Sequence, residues 1–315
     1  MKMQSVRTAA LAPALLALCG LGSACGADDD ATPTGGGGGN GGDSASVSGD
    51  GGDSASGDGG TEPGIGTEYI TTDTTWRASD GIKLVKNRII VAGPTNPTLT
   101  IEPGVIVRFA KGTELEIGSS EHLGRLDASG SAASGILFEA DGSNPAPGDW
   151  GGITFERGGE GSKIQHATLK HCGRANGRSE ACVTEVSNAP GCPEPDHCAG
   201  PDLQALVIQR SKNRGIEIQG TSEFHFTFTS GVAPIRIEDS GGYPVAVDIN
   251  LISAIRALRL ELARNAYDAV LLTGDELSSD LKDGEPQRKS LIPPSPTIPF
   301  DIENELIVRD VLRIS

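Results

Sequence analysis

From residue 98 onward the chain runs in short stretches that alternate apolar and polar side chains. TLTIE at 98–102, VIVRF at 105–109, ELEIG at 114–118 and GILFE at 135–139 are followed by ITFER at 153–157 and KIQHATLK at 163–170. LVIQ at 206–209, IEIQ at 216–219, FHFTFT at 224–229 and IRIED at 235–239 continue the series. Gly, Pro, Asn or Asp separates the stretches, and period-two alternation between such breaks predicts half-buried strands. No amphipathic helix able to cover a sheet intervenes, so the fold class is all-β. Residues 249–263 fit two patterns: Leu251, Ile255, Leu258 and Leu262 share a helical face, whereas Leu258, Leu260 and Leu262 alternate with Arg259 and Glu261. A short helical turn near 251–256 with a strand after it is the expectation.

A sandwich, a closed barrel and a coiled solenoid can all be built from such strands. Turns at Pro103-Gly104 and Lys111-Gly112 crowd the sequence too closely for barrel strands of ordinary length, and suit the corners of a narrow coil. Loosely similar units also recur, as IEPGVIVRFAKGTELEIG, RLDASGSAASGILFEAD and WGGITFERGGEGSKIQHATLKHCG. In a solenoid each rung buries its small aliphatic residues only when rungs lie above and below it. An aromatic content of 4% suits a thin interior of this kind.

Composition narrows the function. With 26 basic and 42 acidic residues the net charge is -16, which argues against a nucleic-acid partner and against electrostatic adhesion to anionic lipid. The 44 glycines among 315 residues are about twice the usual share, and many fall between residues 26 and 66, where GGDSAS occurs at 41–46 and again at 51–56. That stretch cannot bury enough apolar surface to offset chain entropy and reads as a disordered tether. A Gly-rich coil of this length spans about 35 Å and is extended further by its own negative charge.

Ahead of the tether, Lys2 and Arg7 precede an apolar run at 9–21 and small residues up to Cys25. The run is shorter than the roughly 20 residues of a membrane span and has the form of a secretory signal. Leu21-Gly22-Ser23-Ala24-Cys25 resembles the lipobox of bacterial lipoproteins, although Gly22 stands where that family usually has Leu. The resemblance implies a signal peptide over 1–24, lipid on Cys25, and an exported chain held at the outer membrane or cell surface. The linker then covers 25–66.

The strings TLTIEPGVIVRFAKGTELEIG, PAPGDWGGITFE and SKIQHATLKHCG resemble the right-handed parallel β-helix proteins of bacterial surfaces, whose fold is shared with pectin lyases. This implies a parallel β-helix over 67–315. The likeness speaks for architecture rather than activity, since such scaffolds serve lyases, hydrolases, adhesins and spikes alike. The end of the chain resembles the start of the coil: 273–314, like 71–101, has a Thr/Asp entry, a charged loop and a closing alternating strand. A covering loop at 284–299 is expected to blunt the last edge.

Few residues suggest chemistry. Cys172, Cys182, Cys192 and Cys198 form an even set in a stretch rich in Gly, Pro, Asn and Asp. In an exported chain this reads as two disulfides stapling an excursion at about 172–203. Three pairings are open, with Cys172–Cys182 and Cys192–Cys198 preferred for their short closures. His171 and His197 bring zinc to mind, but no CxxC pair accompanies them, so no metal is assigned. Asp149 and Trp150 are the candidate ligand contact, a carboxylate beside an indole, with a structural role in the corner as the stronger reading. Glu223, His225 and Asp239 could be drawn as an acid/base group; His122 and His166 suggest surface or satisfied positions. There is no dense acid cluster in the rungs and no phosphate loop, GxSxG or HExxH. The expectation is a lipid-anchored, non-catalytic surface scaffold without cofactor, binding a polysaccharide or a surface protein or contributing to the envelope. The alternative is a polysaccharide lyase or glycoside hydrolase.

Overall fold

The computed structural model describes residues 65–156, 159, 161–174, 180–186, 200–219, 233–249, 259–274 and 298–303, with the backbone alone at 199, 225–226, 276–277, 281–282, 285–286 and 307–308. All of them lie in the compact unit that spans 59–315. Among the described residues the chain is all-β, with a short 3₁₀ segment at Ala78–Asp80.

Three parallel sheets carry most of the strands. The first contains Thr67–Ile70, Arg88–Val91, Leu115–Ile117, Ile153–Phe155, Ala181–Val186, Arg214–Gln219, Val245–Asp248, Val270–Thr273 and Phe300–Ile302, adjacent in that order. The second contains Thr74–Trp76, Thr98–Ile101, Arg125–Ser129, Lys163–Gln165 and Asp202–Gln204. The third contains Lys83–Val85, Ile106–Phe109, Ile136–Ala140, Ala167–Lys170, Val207–Gln209, Ile235–Glu238 and Leu260–Ala263. Up to Gln209 these strands visit the first, second and third sheets in rotation, each pairing in parallel with the next strand of its own sheet. This arrangement is compatible with a parallel β-helix.

Alternation in the sequence becomes inside and outside in the fold. In Ile106–Phe109 and Ile136–Ala140, buried and partly buried residues alternate. Register then aligns the buried set, so that Val107, Phe138, Leu169, Ile208 and Ile237 succeed one another in the third sheet. Each is fully enclosed. Volumes compensate between turns: Phe109 lies beside Ala140, and Ile136 beside Ala167. No single turn could enclose these side chains, because their cover is the neighbouring turn.

Several corners between sheets carry a single non-glycine residue in the left-handed region. His166 and Ala205 (φ 48° each) turn the chain from the second sheet into the third. His171, Arg210, Asp239 and Arg264 (φ 61°, 54°, 57° and 58°) each directly follow a third-sheet strand. An L-residue in that conformation costs roughly 1–2 kcal/mol. The cost is offset by hydrogen bonds between turns: the N–H of His171 donates to the carbonyl of Gln209, that of Arg210 to Glu238 and that of Asp239 to Ala263, at 3.2, 3.1 and 3.3 Å.

The structure departs from the sequence reading in the Cys-rich stretch. Residues 181–186, expected within one excursion, form a six-residue strand of the first sheet, so the excursion is divided. Residues 181–185 are all buried there, so no apolar/polar alternation marks the strand. Of FHFTFT, only His225–Phe226 is described, paired in parallel with Ala199–Gly200. The helical turn near 251–256 lies outside the described residues, while the strand expected after it is Leu260–Ala263. Phe300–Ile302 extends the first sheet; most of 284–299 lies outside the described residues.

Replacing Phe138 with Ala is expected to lower unfolding free energy by about 3–5 kcal/mol. Replacing the outward Thr168 of the adjacent strand with Ala is expected to change it by about 0.5 kcal/mol or less. Urea denaturation followed by circular dichroism measures both.

Candidate functional site

Asp149 and Trp150 sit in the corner that leads into Ile153–Phe155. Gly152 has φ 107°, and a Cβ there would lie 2.6 Å from the carbonyl oxygens of both Ala181 and Cys182, so the turn above requires glycine. Trp150 is fully buried and stacks on Phe109 with ring centroids 4.0 Å apart and planes 9° from parallel. Its indole N–H donates to the carbonyl of Lys170 at 2.8 Å. The indole is thereby engaged within the protein rather than presented to a ligand. Asp149 Oδ2 accepts the N–H of Ala146 at 2.7 Å and closes the preceding turn.

Cys172 and Cys182 form a disulfide. Both are fully buried, Cys172 directly after the His171 corner and Cys182 in the first sheet, so the bond ties the return of the chain to the core. Cys192 and Cys198 lie outside the described residues, as do Cys25 and His197. Among the described residues no group of three or more His, Cys, Asp and Glu side chains is placed to hold a metal ion.

The outward residues of the rungs carry the charge. In the third sheet Arg108 donates to Glu139 on the next turn at 2.9 Å, and Arg236 pairs with Glu261 at 3.1 Å. Arg264 bridges Glu238 and Asp239 at 2.8 Å each, and the amide of Gln209 donates to Glu238 at 2.5 Å. The Gln209 amide and Arg264 hold the Glu238 carboxyl below its usual range, and Arg264 does the same for Asp239. Asp239 is thus occupied by a guanidinium; Glu223 lies outside the described residues, and of His225 only the backbone is described. On the first sheet Arg88 forms ion pairs with Glu114, at 2.8 Å, and with Glu116, while Arg214 pairs with Glu217 at 2.5 Å. In the second sheet register places Lys163 between Asp127 and Asp202, and Asp202 accepts the side-chain amides of Gln165 and Gln204 at 2.8 and 2.7 Å.

Two buried titratable groups stand apart from this pattern. His171 is buried with neither ring nitrogen hydrogen-bonded. Burial, then the charges of Arg210 and Lys170, hold its pKa below the ordinary histidine value. Glu185 is the more unusual. Its register partners are Phe155 on one side and Ile218 on the other, so it occupies an inward position in an otherwise apolar column. Its Oε2 has no hydrogen-bond partner, and burial pushes its carboxyl well above the usual range. Sequence reasoning passed over Glu185, although a signal was available: in ACVTEV it shares parity with the inward Val183.

Comparison with known proteins finds no matching family model, no matching curated protein and no matching solved structure.

Two outcomes follow for this region. Removing the Cys172–Cys182 bond by Ser substitution at both positions is expected to cost about 3 kcal/mol from loop-closure entropy for a separation of 10 residues, read from denaturation midpoints with and without reductant. For Glu185, folded and unfolded chains both carry the proton below the ordinary glutamate range; as pH rises through that range the unfolded chain ionises first, and stability falls until the raised folded value is reached. Glu185→Val should therefore raise the melting temperature at pH 7.5, by the equivalent of about 1–3 kcal/mol for an unsatisfied buried group, and the gain should shrink at pH 4.

Proposed function

We propose that this chain is a non-catalytic surface scaffold: a right-handed parallel β-helix, anchored by lipid on Cys25 and carried on a Gly-rich tether. The rotation of strands through three parallel sheets supports the coil. The tight corners at the left-handed His166 and Ala205, which turn the chain from the second sheet directly into the third, support it further. The lipobox-like string ending at Cys25 supports the anchor and an outer-membrane or cell-surface location.

The observation that carries the non-catalytic reading is the pairing of outward carboxylates from turn to turn. Glu139, Glu238, Asp239 and Glu261 are each bonded by a cation of the same or the neighbouring turn. General acid/base work needs a carboxylate whose protonation is tuned by its site and whose oxygens can reach a substrate. These carboxylates instead neutralise neighbours and keep the outer surface in register. A polysaccharide or surface protein remains the partner class this surface would meet.

One observation favours the hydrolase or lyase reading. Asp127 and Asp202 occupy the same column of the second sheet, two turns apart with Lys163 between. At about 4.8 Å per turn their backbones are about 10 Å apart, just beyond the roughly 6.5–9.5 Å carboxyl separation of inverting glycosidases.

Two measurements test the proposal on the full-length chain. A fatty-acid probe fed to an expressing bacterium should label wild type and not Cys25→Ser; equal labelling would defeat the anchor. Incubation with a polysaccharide panel, scored for retention and cleavage, should give no cleavage. Cleavage abolished by Asp127→Asn or Asp202→Asn would install the enzyme reading instead.

A further inference from the structure

Tyr243 and Tyr267 precede the first-sheet strands Val245–Asp248 and Val270–Thr273, so successive turns place them at the same corner. Their rings stack with centroids 4.4 Å apart and planes 15° from parallel. The hydroxyl of Tyr243 donates to Asp301 Oδ2 at 3.1 Å, reaching into the following first-sheet strand. Tyr267 keeps 53% of its surface exposed, a large aromatic face left open beside a fixed partner. Such a pair, with one phenol tethered and one ring open, is a rigid platform rather than a stray surface residue.

Two acids act on the Tyr243 phenol. Burial, the bond to Asp301 and the charges of Asp301 and Glu303 push the Tyr243 phenol up to about 12, so it stays a neutral donor at physiological pH. Donation to a carboxylate enriches the ring in electron density, and both acids are exposed beside it. The nearby Arg264 is committed to Glu238 and Asp239. Asp268 accepts the backbone and side-chain N–H groups of Asn265, which fixes the corner that carries Tyr267.

We infer that the open face of Tyr267, stacked on a Tyr243 whose hydroxyl is held by Asp301 and whose surroundings include Glu303, receives a guanidinium group presented by a basic peptide partner. The ring face supplies the cation–π attraction and the carboxylates supply charge-assisted acceptors. A neutral sugar could use the ring but not the charge, and the chain's net charge of -16 steers cations toward the site. The inference goes beyond the scaffold reading and needs neither the lipid anchor nor the lack of catalysis.

The test uses the full-length chain, titrated calorimetrically with tetra-arginine at about 0.15 M salt, where long-range attraction is screened. Wild type should bind, Tyr267→Phe should bind alike, and Tyr267→Leu should weaken binding about two- to fivefold. Glu303→Gln should also weaken it. Equal binding by wild type and Tyr267→Leu would mean diffuse adhesion to an acidic chain and would overturn the inference, as would no binding at all. Binding of neutral maltohexaose lost in Tyr267→Leu, with none of tetra-arginine, would identify a sugar platform instead. Because the chain has three tyrosines, 3-fluorotyrosine labelling gives an independent readout: tetra-arginine should move the Tyr267 resonance and leave that of Tyr69 unchanged.

Discussion

The parallel pairing of each turn with the next is the constraint on which the rest depends. A strand of three or four residues is too short to persist alone. Here it persists because both of its edges are bonded to strands of identical direction, and because its inward residue rests on the inward residue of the next turn. Val107, Phe138 and Leu169 illustrate the economy: one position per turn, repeated in register, makes a continuous core. The left-handed corners serve the same end. His171, Arg210 and Asp239 accept a strained backbone because their N–H groups extend the ladder around the bend.

Outside the core, the same register dictates electrostatics. Equivalent positions on neighbouring turns lie about 4.8 Å apart, so like charges in one column would repel and opposite charges attract. Arg108 beside Glu139, and Lys163 between Asp127 and Asp202, follow that rule. Against this background Glu185 is the exception, a carboxyl turned into the apolar interior, where burial raises its pKa and makes it a pH-dependent weak point of the fold.

Much of the architecture was legible in the sequence because alternation survives in strands such as VIVRF and GILFE, whose inward residues are large and aliphatic. The disulfide between Cys172 and Cys182 was legible from its short closure. The strand Ala181–Val186 was hidden, since Cys182, Thr184 and Glu185 are residue types that also populate loops. Sheet membership was hidden for a different reason: alternation says which side of a strand faces inward, not which sheet receives it. The tyrosine pair depends on that assignment. Tyr243 and Tyr267 meet only because Val245 and Val270 are register partners. Trp150 was legible as a corner residue, but its stacking on Phe109 joins side chains 41 positions apart in sequence.

Electron–electron distance measurements between spin labels on one outward column test the coil most directly. Register aligns Leu84, Arg108, Glu139, Lys170, Gln209 and Glu238 on successive turns of the third sheet. With one label at Leu84 and the second moved from Lys170 to Gln209 to Glu238, the distance should climb in equal steps of about 4.8 Å, from about 14 to about 24 Å. Distances that fall back, or that settle near the roughly 10 Å spacing of two facing sheets, would show antiparallel or layered packing and contradict a coil of parallel turns.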